Sequence, residues 1–214
     1  MRARFEMVLL HSAYGNFEAA REHADKFPWR SDMTLHKMRA YIAHFENDKI
    51  AEKKSLQYDF AYHLESILDN VVSLGYSYMS FNDYENAYYV FSKALEIISS
   101  ISEKEGLLPT FIYRENGDIR CSLAEACVKL NKTEEAVDWI EKTVNYYMYE
   151  FPKVKGIPTG KSPFFDSIKY PFYNTGLYKN KHLYLEITNE RFDALKNNER
   201  YNELLNAFAE YLNC

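Results

Sequence analysis

Residues 156–162 resemble a phosphate-binding loop more closely than any other stretch of this sequence. They read Gly-Ile-Pro-Thr-Gly-Lys-Ser. This is one residue short of the spacing in which backbone amides and a lysine hold phosphates. No apolar strand precedes the stretch, and Pro163 disrupts the helix that should follow it. We therefore expect no nucleotide cofactor.

The histidines and cysteines do not form a recognisable chemical site. The six histidines show no H-E-x-x-H or other metal-ligand spacing. His36 and His44 are eight residues apart and could share a helix face, a pattern more typical of two surface histidines. Cys121, Cys127 and Cys214 are odd in number, which predicts reduced thiols in a cytoplasmic protein. We predict no catalytic residue and no bound metal, because an enzyme would need a metal or nucleotide that nothing here favours.

The clearest pattern in the chain is a spacing of small and large apolar residues that would pack two helices together. Its residues are, in order, Leu74, Gly75, Tyr78, Ala87, Phe91 and Ala94. The small residues allow two antiparallel helices to approach closely, and the large ones fill the space between that pair and the next. Asn82 and Asp83 lie between the two halves, where they favour a turn and cap the next helix. This spacing resembles the helix–turn–helix unit of about 34 residues in tetratricopeptide repeat (TPR) proteins.

Weaker copies of this pattern lie on either side. They supply the further packing residues Ala20, Leu123, Ala124, Ala136 and Ile140. The anchors Ala20, Ala87 and Ala136 are 67 and 49 residues apart. The first gap leaves room for one divergent helical pair, and the second indicates lengthened helices or an insertion. A helix beginning after Asp48 could run unbroken to Tyr78.

These repeats predict the fold class. We expect an all-α, TPR-like α-solenoid of antiparallel helix pairs in a right-handed superhelix, with about 8–10 helices. Such repeats bury their apolar faces only by stacking, and arrays of them mostly bind other molecules. The absence of a long apolar run or a signal-peptide pattern predicts a cytoplasmic protein with no membrane contact.

Charge divides the chain into three predicted parts. The chain carries a net charge of −5, yet residues 153–182 hold six lysines against Asp166 alone, so the remainder is at −10. We predict a repeat array over 1–152, an irregular basic and aromatic segment over 153–182, and a C-terminal helical cap over 183–214. The basic segment either packs on the acidic array, acts as a lid or partner contact, or touches nucleic acid. The acidic body itself is a poor nucleic-acid surface.

Three features together resemble a family of bacterial regulators. They are the opening helix leading into the Gly15–Ala20 turn, the repeat units separated by a long linker, and the tail Arg191-Phe192-Asp193-Ala194-Leu195. This order is similar to the C-terminal region of helix-turn-helix transcriptional regulators of the Xre (Cro/C1) type. The resemblance implies a module that senses a peptide, a small ligand or a protein partner, or that dimerises, with DNA reached only through a domain absent from this chain. The alternative is a stand-alone scaffold for protein–protein interactions.

The first helix of each pair should line the concave groove of the array. Spacing from the anchors predicts these groove residues: Phe5, Leu9, Asp69, Val72, Tyr76, Met79, Asp118, Cys121, Glu125 and Val128. This mixture suits a peptide with apolar and basic side chains. The alternative is that the C-terminal segment or a second subunit covers part of it. The Lys/Asn set that clamps a C-terminal carboxylate in some TPR domains is absent, which argues against a chaperone-tail adaptor.

Overall fold

A computed structural model describes residues 2–26, 35–102, 110–150, 162–168 and 183–213. The α-helices are α1 Arg2–Ala13, α2 Phe17–Asp25, α3 Leu35–Phe45, α4 Lys49–Ser80, α5 Tyr84–Ser102, α6 Thr110–Lys129, α7 Thr133–Asn145 and α8 Glu199–Asn213. A π-helical turn at Tyr146–Glu150 extends α7, and a 3₁₀ helix, Glu190–Leu195, precedes α8. Residues 183–187 are also helical. The described residues contain no β-strand, so the predicted all-α class is confirmed.

The turns within the four helix pairs share one geometry. Gly15, Asn47, Asn82 and Asn131 each have a positive φ, between 57° and 73°. At each turn the amide of the following residue donates to a carbonyl five residues earlier, as in the bond of Asp83 to Tyr78. Only glycine and asparagine adopt this left-handed conformation routinely, so the four positions end their helices in the same way.

The turn at Asn47 reveals the divergent pair expected between the first two anchors. It lies 32 residues after Gly15 and 35 residues before Asn82. The pair consists of α3 and the first part of α4. Since α4 is 32 residues long and unbroken, it also supplies the first helix of the next pair.

Small residues lie where the paired helices approach closely. Most of the predicted packing residues are fully or almost fully buried: Ala20, Gly75, Ala87, Phe91, Ala94, Leu123, Ala124, Ala136 and Ile140. A Cβ atom added to Gly75 would lie 2.5 Å from the ring of Phe91, so any larger residue at this position would have to displace that ring. Tyr78 is half-buried. Leu74 departs from the pattern, because its side chain is 48% exposed.

Contacts divide the chain into two compact units. Unit 1 comprises Met1–Leu64 with Thr159–Lys169, and unit 2 comprises Glu65–Pro158 with Tyr170–Cys214. The core of unit 1 includes Val8, Ala20, Ala24, Met38 and Ile42. The core of unit 2 joins α6 and α7 to the C-terminal residues, including Ile140, Phe192, Leu195, Tyr201 and Phe208.

Several sequence predictions fall on residues outside this description. They concern the phosphate-loop-like stretch before Ser162 and both boundaries of the predicted basic segment. That three-part division therefore stays a prediction. Among the described residues, no helix is long and apolar enough to cross a bilayer.

Candidate functional site

The first helix of the clearest repeat, the C-terminal half of α4, carries four predicted groove residues. Asp69, Val72, Tyr76 and Met79 recur at helical spacing and share one face of α4. Tyr76 is 45% exposed, and Val72 and Met79 are half-buried. This face therefore presents aromatic and apolar surface beside the Asp69 carboxylate.

Tyr76 also connects this face to α6. Its ring meets Phe91 edge-on, with the ring centroids 5.5 Å apart. Its hydroxyl is hydrogen-bonded to that of Ser122 on α6, at 3.0 Å. Burial of the hydroxyl end raises the pKa of Tyr76, so the phenol stays protonated at neutral pH. Tyr76 therefore remains partly accessible while its hydroxyl is held in place.

The groove residues predicted on α6 have a different environment. Asp118 is exposed, but the C-terminal residues lie over Cys121 and Glu125. The Arg191 guanidinium donates to Glu125 Oε2 at 2.9 Å and to Glu186. It also lies 3.6 Å from Cys121 Sγ. Val128 packs against the hydrophobic core of unit 2, to which the C-terminal residues also contribute.

Burial makes the Cys121 thiol unreactive as a nucleophile. It raises the pKa of the thiol to about 12, despite the opposing charge of Arg191. Because the thiolate is the nucleophilic form, Cys121 is not a candidate nucleophile at neutral pH.

The C-terminal residues 183–213 are attached to the rest of unit 2 by ion pairs, a hydrogen bond and buried side chains. Arg200 of α8 donates to Asp138 Oδ1 at 2.7 Å and also pairs with Glu141. The Tyr201 hydroxyl donates to the Ile187 carbonyl at 2.5 Å, inside the protein. Phe192 and Leu195 are fully buried. Ile187, Phe192, Leu195 and Tyr201 belong to the unit 2 core. The part of α6 beneath the C-terminal residues is therefore not an open binding surface.

The two remaining groove candidates lie on α1, in unit 1. Leu9 is half-buried, whereas the side chain of Phe5 lies outside the described residues. Among the described residues, no group of three His, Cys, Asp or Glu side chains could hold a metal ion.

A second surface, which repeat spacing does not predict, lies in unit 1. Lys37, Ala40, Tyr41, His44, Glu52 and Leu56 line a cleft of about 210 Å³ between α3 and α4. The amide of Glu52 donates to the Asp48 carbonyl, just as that of Ala87 donates to Asp83. Glu52 thus occupies the position where the other three pairs have a buried alanine. The sequence signal was available: an acid five residues after Asn47, where the repeat needs a small residue.

Hydrogen bonds and charge hold Glu52 at the mouth of this cleft. Its Oε1 lies 2.9 Å from His44 Nδ1, and Lys49 Nζ lies 3.0 Å from its Oε2. Lys49 first, and then His44, lowers the pKa of the Glu52 carboxyl. The carboxylate is therefore ionised at neutral pH.

A turn at residues 162–168 forms the other wall of a larger cleft along α4. The Gln57 side chain donates to the Pro163 carbonyl at 2.7 Å and accepts from the Ser167 amide at 2.9 Å. The Phe164 ring stacks on Phe60, with the centroids 4.9 Å apart. The cleft has a volume of about 370 Å³.

Asp166 ties this turn to α4. Its carboxylate accepts from Lys53 Nζ at 2.8 Å and from Gln57 Nε2 at 2.7 Å. Lys53, Gln57 and Ser167, in that order, lower the pKa of Asp166 to about 2. The described part of the basic segment is therefore held by its one acidic residue together with its aromatics.

Comparison with known proteins gives one match. The family model for the tetratricopeptide repeat matches residues 69–100, the C-terminal part of α4 and most of α5. No curated protein and no solved structure matches the chain. The match confirms the TPR-like repeat that the spacing of Gly75, Ala87 and Phe91 predicts, and TPR repeats generally mediate protein–protein interaction.

Proposed function

We propose that this chain is a protein-interaction module that binds a partner peptide along the exposed face of α4 in unit 2. The TPR match to residues 69–100 supports a binding role. The observation that carries the proposal is the accessible Tyr76 ring, fixed by Phe91 and Ser122 on the first helix of that repeat. Aromatic rings held in this way are favoured anchors at protein interfaces.

The chemistry of this face suggests the partner. Val72, Tyr76 and Met79 offer apolar and aromatic contact, and Asp69 and Asp118 add negative charge. A peptide with an apolar side chain next to a lysine or arginine complements this combination. Cys121, Glu125 and Val128 are omitted from the proposed surface because the C-terminal residues pack over them.

We further propose that the module is the sensor part of an Xre-type transcriptional regulator. The resemblance of the Gly15–Ala20 turn and the Arg191–Leu195 tail supports this role. Each repeat touches mainly its neighbours, so a ligand that binds one arrangement of the helices more tightly would shift the population toward it. A DNA-binding domain or a second copy of the chain would then receive that shift.

Replacing Tyr76 and Met79 together with alanine tests the surface. Affinity capture from cell extract, followed by mass spectrometry, should lose the specific partner while the protein stays folded, with only a modest fall in melting temperature from the lost contacts of Tyr76 with Phe91 and Ser122. Tyr89→Ala is the matched control, because Tyr89 is an exposed tyrosine on α5. Undiminished capture would move binding to another surface, and unfolding of the double variant would show that these residues are core.

The regulator role needs a separate test. The genomic DNA upstream of the Met1 codon should encode an in-frame helix-turn-helix domain. A stop codon and a ribosome-binding site there would contradict the regulator role and favour a stand-alone scaffold.

A further inference from the structure

The helix pair formed by α3 and the start of α4 exposes a position that the following pair buries. Counting from the turns at Asn47 and Asn82, Leu56 corresponds to Phe91. Phe91 is fully buried, whereas Leu56 is 49% exposed. In unit 2, α6 packs back against α5, the helix that carries Phe91. Because α4 does not end and turn back after Leu56, no equivalent helix of the repeat follows it.

The turn at 162–168 covers only part of the face left open. Phe164 stacks on Phe60 one helical turn beyond Leu56, and Pro163 flanks the cleft. Leu56 and Glu52 line both this cleft and the one between α3 and α4. The two clefts therefore adjoin at Leu56. We call this continuous surface, from Tyr41 across Leu56 to Phe164, the Leu56 groove.

Positive charge borders the Leu56 groove. Lys37 lies at one cleft, and Lys49 and Lys53 lie at the other. Among the described lining residues Glu52 is the one acid, and it pairs with Lys49, while Asp166 pairs with Lys53 from the adjacent turn. This local excess of lysine stands out in a chain whose net charge is −5. Lysines in the first turns of α4 also face the positive end of the helix dipole, which does not favour them for stability.

From this geometry we infer that the Leu56 groove docks an amphipathic helix of a partner protein. Apolar side chains one turn apart on that helix contact Leu56, Phe60 and Phe164, and flanking Asp or Glu side chains pair with the lysines. A helix fits because in unit 2 a helix, α6, packs against α5, which carries the corresponding residue Phe91. Charge complementarity selects an acidic one. This inference concerns a surface in unit 1 and does not depend on the proposed peptide face at Tyr76.

A displayed library of helical peptides tests the inference with the full-length chain. Each peptide fixes leucine along one face and varies the flanking positions among Glu, Lys, Ser and Ala. Selection should enrich Glu over Lys at those positions. The best peptide should bind Leu56→Glu at least about tenfold more weakly in fluorescence anisotropy, equivalent to roughly 1.4 kcal/mol.

Two matched controls separate the groove from general surface effects. Leu10→Glu changes a leucine that is also 49% exposed, but on α1. Lys49→Glu should lower the affinity of the protein for the selected peptide, whereas Lys93→Glu should not. Both lysines form an i,i+3 pair with a glutamate, and Lys93 lies in unit 2. All variants should unfold cooperatively, and the two leucine variants should lose similar, small amounts of thermal stability because both side chains are half exposed.

Several results would overturn the inference. They are no enrichment of any peptide, enrichment of Lys over Glu, or equal loss of binding in the Leu10→Glu and Leu56→Glu variants. Analytical ultracentrifugation supplies another: a dimer that Leu56→Glu dissociates would show that a second copy of the chain occupies the groove. If Leu56→Glu unfolds the protein, Lys49→Glu decides, and unchanged peptide affinity in that variant rejects the groove.

Discussion

The α3/α4 pair and the α4/α5 pair start from the same turn and end with different packing. Asn47 and Asn82 share a left-handed backbone conformation, and the hydrogen bonds that follow them match. Five residues later, one pair has Glu52 and the other Ala87; nine residues later, one has Leu56 and the other Phe91. The α3/α4 pair keeps an open cleft, and the α4/α5 pair is closed at Gly75 and Phe91. The residues of the turn therefore determine that two helices pair. The residues after the turn determine whether the interface between the two helices, which we call the seam, is closely packed.

Transferring the acid from one pair to the other should produce the largest effect. Ala87→Glu places a carboxylate at a fully buried position, and an uncompensated buried charge costs about 5 kcal/mol. We expect urea denaturation of this variant to show unfolding of most of the population or a strongly lowered midpoint. The reverse change, Glu52→Ala, is the control and should leave the midpoint nearly unchanged. Equal effects at the two positions would show that the seams are alike.

Truncating the residue that follows each seam gives the next largest contrast. Phe91→Ala should lower the free energy of unfolding by about 3–4 kcal/mol, because it opens a cavity in a closed core. Leu56→Ala should lower it by only about 1 kcal/mol, since its side chain is already half in water. Chemical denaturation of both variants measures the difference. Similar losses would mean that Leu56 is as well packed as Phe91.

Adding a single methyl group tests the seam itself. The new Cβ in Gly75→Ala would meet the buried ring of Phe91, and such overpacking costs about 1–3 kcal/mol. The higher helix propensity of alanine returns about 1 kcal/mol. We therefore expect a modest net loss of thermal stability. The corresponding residue of the other pair is Ala40, which already carries this methyl group. A rise in melting temperature for Gly75→Ala would show that the seam has room.

The smallest effect should appear on acidification, at the turn that lies beside the open pair. The pKa of Asp166 is about 2 in the folded protein and 3.8 ordinarily. The bonds of the carboxylate to Lys53 and Gln57 therefore stabilise the turn fully above pH 3.8, and this contribution is lost as the pH falls through about 2. The carboxyl chemical shift of Asp166, followed by NMR, should give this midpoint. Lys53→Met should raise the midpoint, and an unchanged value would exclude the ion pair as its cause.

The sequence predicts the closed pairs well because their packing residues are local and distinctive. Gly75, Ala87, Ala94 and Ala136 are small residues at fixed distances from an asparagine turn, and few other structures require that combination. The α3/α4 pair is visible only as a gap between anchors, because Glu52 replaces its packing alanine. The turn at residues 162–168, which borders the larger cleft, contacts Gln57 from 106 residues away in sequence, and repeat spacing does not encode such a contact.

The groove residues of α6 illustrate a second limit. Distance from the turn at Asn131 indicates which face Cys121 and Glu125 occupy. It gives no information about Arg191, which is 66 residues from Glu125 in sequence and pairs with it only in the fold. Burial of the predicted surface is thus a long-range property, and a single sequence carries no direct signal of such a contact.

The position of the Cys121 thiol beneath Arg191 gives unit 2 an internal reporter. At neutral pH a thiol with a pKa of about 12 reacts with an alkylating reagent only after the C-terminal residues move away and water reaches the sulfur. The alkylation rate of Cys121 therefore measures the free energy of that local opening, separately from global unfolding. A partner that stabilises the closed form of unit 2 would slow the alkylation of Cys121. The alkylation rate could therefore report the occupancy of a binding surface elsewhere on the unit.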